Sequence, residues 1–226
     1  MVANFSHSAT HSTIHRFPAG HSAALQSTMK QSGRRHFVIW MDAVGGFLVC
    51  RGDHVHLGQA VPGNRVDVPL QADISRHHAS IRRDQEGYLL LPNARVLLDG
   101  QLIAQPTTLC DGQEIDLGGA VKLEFRRPHP LSATARLTVK SHHRLSPPVD
   151  AVLLLADSCV IGPATTSHIV ARQMTSEAVL FEQDGKLAMR GAQPLTIDGT
   201  EHVQPGLLAE QSRVSGEDFS LSVESL

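Results

Sequence analysis

The stretch ISRHHASI, residues 74 to 81, decides how this chain is read. It opens on a polar segment, Ser75-Arg76-His77-His78, and runs directly into the alternating Ala79-Ser80-Ile81. Adjacent imidazoles pose a choice between chemistry, as metal ligands or proton carriers, and architecture, as groups that hold a loop. Outward from this stretch the chain is a series of short apolar or alternating runs, among them HFVIWM, GGFLVC, DHVHLG, HASIRR, GYLLLP and AVKLEFRR, broken by Gly, Pro, Asn and Asp. Such runs, recurring about every ten residues with no sustained helical period, mark an antiparallel sandwich or barrel. The expected fold class is all-β.

The second half repeats the order of the first. VLLLADSCVIGP (152–163) follows the pattern of FLVCRGDHVHLGQ (47–59), EAVLFEQDGKLAM (177–189) that of HASIRRDQEGYLLL (78–91), and LTIDGT (195–200) that of VLLDGQ (96–101). The offsets are 104 at Gly58/Gly162, 98 at Gly87/Gly185 and 99 at Gly100/Gly199. Offsets this steady imply tandem copies. The joining RRPHPLSA (126–133) carries two prolines, which predicts a stiff connection.

Composition narrows the function classes. The chain has 226 residues, 41% apolar and 19% charged, with a formal net charge of −2. That balance gives no general attraction to nucleic acid or to anionic lipid. No apolar run reaches the roughly 18 residues of a membrane span, and the N-terminus lacks a secretory core, so the expectation is a cytoplasmic protein, compatible with a bacterial one. Cys50, Cys110 and Cys159 fall singly and read as free thiols in a reducing compartment. Residues 1–35 contain no acid and are dense in Ser, Thr and His, which predicts a disordered tail. His7, His11 and His15 lie four apart there, a stripe of metal ligands only if the tail were helical, which Pro18 and the Ser/Thr content disfavour. His54 and His56 alternate with Val55 and Leu57 and read as a solvated strand face rather than a metal pair.

The ordered set Gly58, Ser75-Arg76-His77-His78-Ala79, Leu98-Asp99-Gly100, Asp111-Gly112-Gln113-Glu114-Ile115 and Gly118 resembles the forkhead-associated (FHA) domain. The family's pattern runs Gly-Arg, Ser-x-x-His, Asn-Gly, Gly-Asp and a final Gly. The resemblance covers 36–127 and reaches 133–226 only through the repeat. It implies two FHA-like antiparallel β-sandwiches in tandem, the second degenerate, and a function of binding phosphothreonine peptides with loops gathered at one end of the sheets. It also implies that His78 organises those loops and that His77 sits at a variable position. Gly58, Asp99 and Gly100 would likewise structure the loops, with Asp99 and Asp198 in hairpin turns needing positive φ. No nucleophile with its base, carboxylate pair or phosphate loop can be assembled from the motifs, so no enzyme, cofactor or metal is expected.

A phosphate is held by several charge-assisted hydrogen bonds, each contributing on the order of 1.5–3 kcal/mol. Of the donors the resemblance implies, Ser75 is present with Arg76 beside it. The Gly-Arg arginine is Gln59, and Asn93-Ala94-Arg95 stands where the family has Thr-Asn-Gly. Two lost donors should remove roughly 3–5 kcal/mol unless replaced, and Arg65 and Arg95 are the candidate replacements. In the second copy Pro163 follows Gly162, Met174 replaces the serine and Glu177 the histidine, so that copy is expected to be a structural partner or a protein-protein surface with no phosphate role. Two partner readings follow. One is a phosphothreonine-bearing protein, or the chain's own tail through Thr10, Thr13 or Thr28; the other is a scaffold that binds protein regardless of phosphorylation.

Overall fold

The computed structural model describes Met1, residues 36–203 and residues 205–226. The tail and its histidines and threonines lie outside the described residues. The described residues from 36 onward belong to one compact unit, and all of their regular elements are strands. The first half supplies β1 (His36–Met41), β2 (Gly45–Cys50), β3 (His54–Gln59), β4 (Val68–Gln71), β5 (Ala79–Asp84), β6 (Gly87–Pro92), β7 (Val96–Leu98), β8 (Gln101–Ile103), β9 (Thr107–Leu109), β10 (Glu114–Leu117) and β11 (Val121–Arg126). The second half supplies β12 (Ala135–Val139), β13 (Arg144–Leu145), β14 (Ala151–Leu154), β15 (Ser158–Gly162), β16 (Ile169–Val170), β17 (Ala178–Gln183), β18 (Lys186–Gly191), β19 (Leu195–Ile197), β20 (Thr200–His202), β21 (Gly206–Leu207), β22 (Arg213–Ser215) and β23 (Ser220–Ser225).

These strands form three sheets. A central 12-stranded sheet runs β20-β19-β22-β23-β1-β2-β14-β12-β11-β10-β7-β8. A sheet of six strands, β13-β4-β3-β5-β6-β9, and one of five, β16-β15-β17-β18-β21, complete the fold. Pairing is antiparallel except at β2–β14, β3–β4 and β15–β16.

The residues of the central strands alternate between two cores. Along β2, Leu48 and Cys50 pack with Leu57, Leu90 and Phe125 of the first core, while Phe47 and Val49 pack with Ile161 and Leu180 of the second. Along β14, Val152 and Leu154 enter the first core, and Ala151 and Leu153 the second. A strand buried on both faces must be apolar throughout, which accounts for the unbroken runs FLVC and VLLL. Asp150 fixes the β2–β14 junction: its carboxylate accepts the Gly46 N–H at 2.8 Å, and its own N–H donates to the Gly46 carbonyl at 2.8 Å.

The cores therefore divide the chain differently from 36–127 and 133–226. β12, from the second half, pairs with β11 and carries Ala135 and Leu137 into the first core. β1, from the first half, pairs with β23 and carries Phe37, Ile39 and Met41 into the second. Each half's last strand is thus covered by the other half's first hairpin. The proline-bearing segment joins two neighbouring antiparallel strands, β11 and β12. Tyr88 anchors this exchange, its hydroxyl donating to the Ala133 carbonyl at 2.7 Å while its ring meets Phe125 edge-on at 5.2 Å.

Candidate functional site

The loops after β3, before β5 and after β6 converge at one end of the six-stranded sheet, and His78 ties two of them together. His78 is 4% exposed. Its Nδ1 accepts the Ser75 N–H at 3.1 Å, which leaves Nε2 protonated to donate to the Arg95 carbonyl at 2.9 Å. The His78 carbonyl accepts the Asn93 and Ala94 N–H groups, each at 3.0 Å. Both ring nitrogens are thus committed to loop backbone, so the ring holds loops rather than moving protons.

The third loop is held by close approach and by one side chain. A Cβ on Gly58 would lie 1.8 Å from the Arg76 carbonyl oxygen, so only glycine lets β3 and the Ser75 loop meet. The Gln59 N–H donates to the Ser75 carbonyl at 3.1 Å, and the Asn64 amide donates to both the Gln59 and Arg76 carbonyls at 2.8 Å. Asn64 is a residue the sequence reading passed over. Its signal in the sequence is the Gly63-Asn64 turn, next to the candidate Arg65.

Ser75, Arg76, Arg65, Asn93 and Arg95 are all exposed at these loops. Among the described residues no carboxylate is within ion-pair distance of Arg65, Arg76 or Arg95, and the Ser75 hydroxyl makes no hydrogen bond. The end is therefore rich in uncommitted donors. Asp99 and Gly100 lie further off, in a turn with φ of 49° and 80°. The Asp99 carboxylate accepts the Glu114 N–H at 2.9 Å and the Gln113 amide at 2.8 Å. Asp198 and Gly199 repeat the turn with φ of 51° and 82°, and Asp198 accepts the Arg213 N–H at 2.8 Å and the Ser212 hydroxyl at 2.7 Å. Those hydrogen bonds hold the Asp198 carboxyl below the usual carboxylate range.

The corresponding end of the second half carries carboxylates. Met174 is buried there, Glu177 is exposed, and the Asp218 carboxylate accepts both the N–H and the hydroxyl of Thr175, the latter at 2.8 Å. A resident carboxylate already takes the donors that an anionic ligand would need.

Burial pushes the Cys159 thiol up to about 12, and burial followed by the charge of Asp67 pushes Cys50 up as well. Neither buried thiol forms a thiolate near neutral pH. Among the described residues no group of three or more His, Cys, Asp or Glu is disposed to hold a metal ion, and no helix is long and apolar enough to cross a membrane.

Residues 55–118 match the family model of the FHA domain. No curated protein and no solved structure matches the chain. FHA domains are, as a class, phosphopeptide-binding protein-interaction modules. The matched span begins in β3 and ends at Gly118, so it contains every loop at the Ser75 end but none of β1, β2 or β11.

Proposed function

We propose that this chain is a non-enzymatic signalling adaptor that takes a phosphothreonine-bearing segment of another protein at the Ser75 end of its first core. The observation that carries this reading is the set of uncommitted donors, Ser75, Arg76, Arg65 and Arg95, on loops held by His78 and Asn64. A phosphate carries close to two negative charges and favours guanidinium groups that no carboxylate has claimed. In this reading Arg65 and Arg95 take over from the arginine that Gln59 displaces, and Asn93 adds an amide donor. The halves are tandem copies of one FHA-like pattern, and the second, with Asp218 on Thr175, has become structural. Cys50, Cys159 and the exposed Cys110 are all unpaired, which suits a reducing, cytoplasmic setting.

A second reading, a phosphorylation-independent scaffold, is favoured by one observation: Gln59 commits its N–H and carbonyl to loop contacts and supplies no guanidinium. Calorimetry against a degenerate phosphothreonine library and its unphosphorylated counterpart separates the two. Binding that needs the phosphate and is lost in Ser75→Ala supports the adaptor. Equal binding of both libraries supports the scaffold.

A further inference from the structure

We infer that the outer face of β3 and β5, beside the Ser75 loops, is a second subsite for the same ligand. It takes acidic side chains that flank the phosphothreonine and holds them more tightly as pH falls. This rests on the phosphothreonine reading.

The face is a row of imidazoles leading away from the Ser75 loop. His54 and His56 leave β3 on the side opposite the buried Val55 and Leu57, with ring centroids 4.5 Å apart. His77, adjacent to Arg76, meets His56 edge-on at 6.2 Å. On β5, Arg82 stands opposite His54 and Ser80 opposite His56, and His54 Nε2 lies 3.0 Å from the Ser80 hydroxyl. Alternate strand positions lie about 7 Å apart, so a ligand in extended conformation can direct acids at every second residue toward the row.

Two carboxylates near the row, Asp67 and Asp84, are already engaged. Asp67 accepts the His56 N–H at 2.6 Å and pairs with His36 Nε2 at 2.8 Å. Asp84 accepts the Glu86 and Gly87 N–H groups at 3.0 and 3.2 Å and lies 3.9 Å from Arg82. Arg76 and Arg82 present donors beside the row, and each ring becomes a donor at both nitrogens when it takes up a proton. Among the described residues these rings belong to no group of three or more side chains disposed to hold a metal ion. An anion fits the row.

The pH dependence follows from the crowding. Partial burial, then the nearness of His56 and Arg82, hold His54 below the ordinary imidazole range, against a smaller pull upward from Asp67. A ligand carboxylate placed over the rings offsets that repulsion and draws in a proton on binding. Protonation and acidic-ligand binding thus reinforce one another, and affinity rises as pH falls through the imidazole range.

The test uses the full chain and three peptides: a phosphothreonine flanked by Asp at alternate positions on both sides, the same peptide with Ala in place of Asp, and the unphosphorylated Asp peptide. The Asp phosphopeptide should bind about tenfold tighter than the Ala one near pH 6, with the gap closing near pH 8. The double variant His54→Gln/His56→Gln should lose that preference while leaving the Ala phosphopeptide's affinity unchanged. A preference that survives the double variant, or that ignores pH, overturns the subsite. Should Ser75→Ala leave phosphopeptide binding untouched, the phosphothreonine reading fails separately. The imidazole resonances then decide: movement of His54 and His56 on adding the unphosphorylated Asp peptide upholds the row, and no movement overturns it.

Discussion

Asp67 and His168 do the same work in the two halves with different chemistry. Asp67 donates its N–H to the His56 carbonyl at 3.0 Å and accepts the His56 N–H on its carboxylate. His168 donates its N–H to the Val160 carbonyl at 2.9 Å and accepts the Val160 N–H on Nδ1 at 2.9 Å. Each side chain closes a ring onto the strand beside it just before β4 or β16 begins. A carboxylate in that place works ionised, whereas an imidazole must stay neutral to accept.

That difference predicts an acid-sensitive stability. Burial, then the neighbouring His129, lowers His168 to about 4. A folded pKa below the unfolded value means that the unfolded chain binds the proton more readily. Stability is then fully present above about pH 6.5 and falls as pH drops toward 4, by on the order of 2 kcal/mol. Denaturant midpoints measured between these values should decline for the native chain and decline less for His168→Asn. Identical slopes would show that His168 does not carry the effect. Asp67, held low by its hydrogen bonds to His36 and the His56 amide despite the opposing effect of burial, adds a loss in the same direction at lower pH.

His78→Ala should uncouple the loops without melting the sheets. It strands the Ser75 N–H and the Arg95 carbonyl and opens a cavity, at a cost of about 2–4 kcal/mol. Amide exchange should accelerate at Ser75 while β5 and β6 keep their protection. Unchanged exchange at Ser75 would mean that the ring does not hold the loop.

The hairpin exchange predicts that the two cores unfold together. Leu137 lies in the second half of the sequence yet is buried in the first core. Leu137→Ala should cost about 2–5 kcal/mol and shift one cooperative calorimetric transition as a whole. Two separately resolved transitions, only one of which moves, would contradict the coupling.

The Ser75 end was legible because its constraints are local. Gly58, Ser75 and His78 lie close together along the chain, and a close backbone approach or a ring bridging two loops tolerates few substitutes. The hairpin exchange was not legible. FLVC and VLLL announce strands buried on both faces, but continuous apolarity does not specify a pairing partner, so nothing in β2 distinguishes β14 from any other apolar neighbour. Asp67 and His168 were hidden for another reason: their shared hydrogen-bond geometry is reached by unlike side chains at an offset of 101, which differs from every offset of the repeat. Asn64 was missed because its role depends on two carbonyls from separate segments.

The central claim, capture of a phosphothreonine at the first core's loop end, is tested most directly by amide spectra of the full chain titrated with a phosphothreonine peptide. Shifts centred on Arg65, Ser75, Arg76 and the 93–95 loop, with Thr175 and Asp218 unmoved, are the predicted result. Shifts centred on Thr175 and Asp218, or none at Ser75, would contradict it.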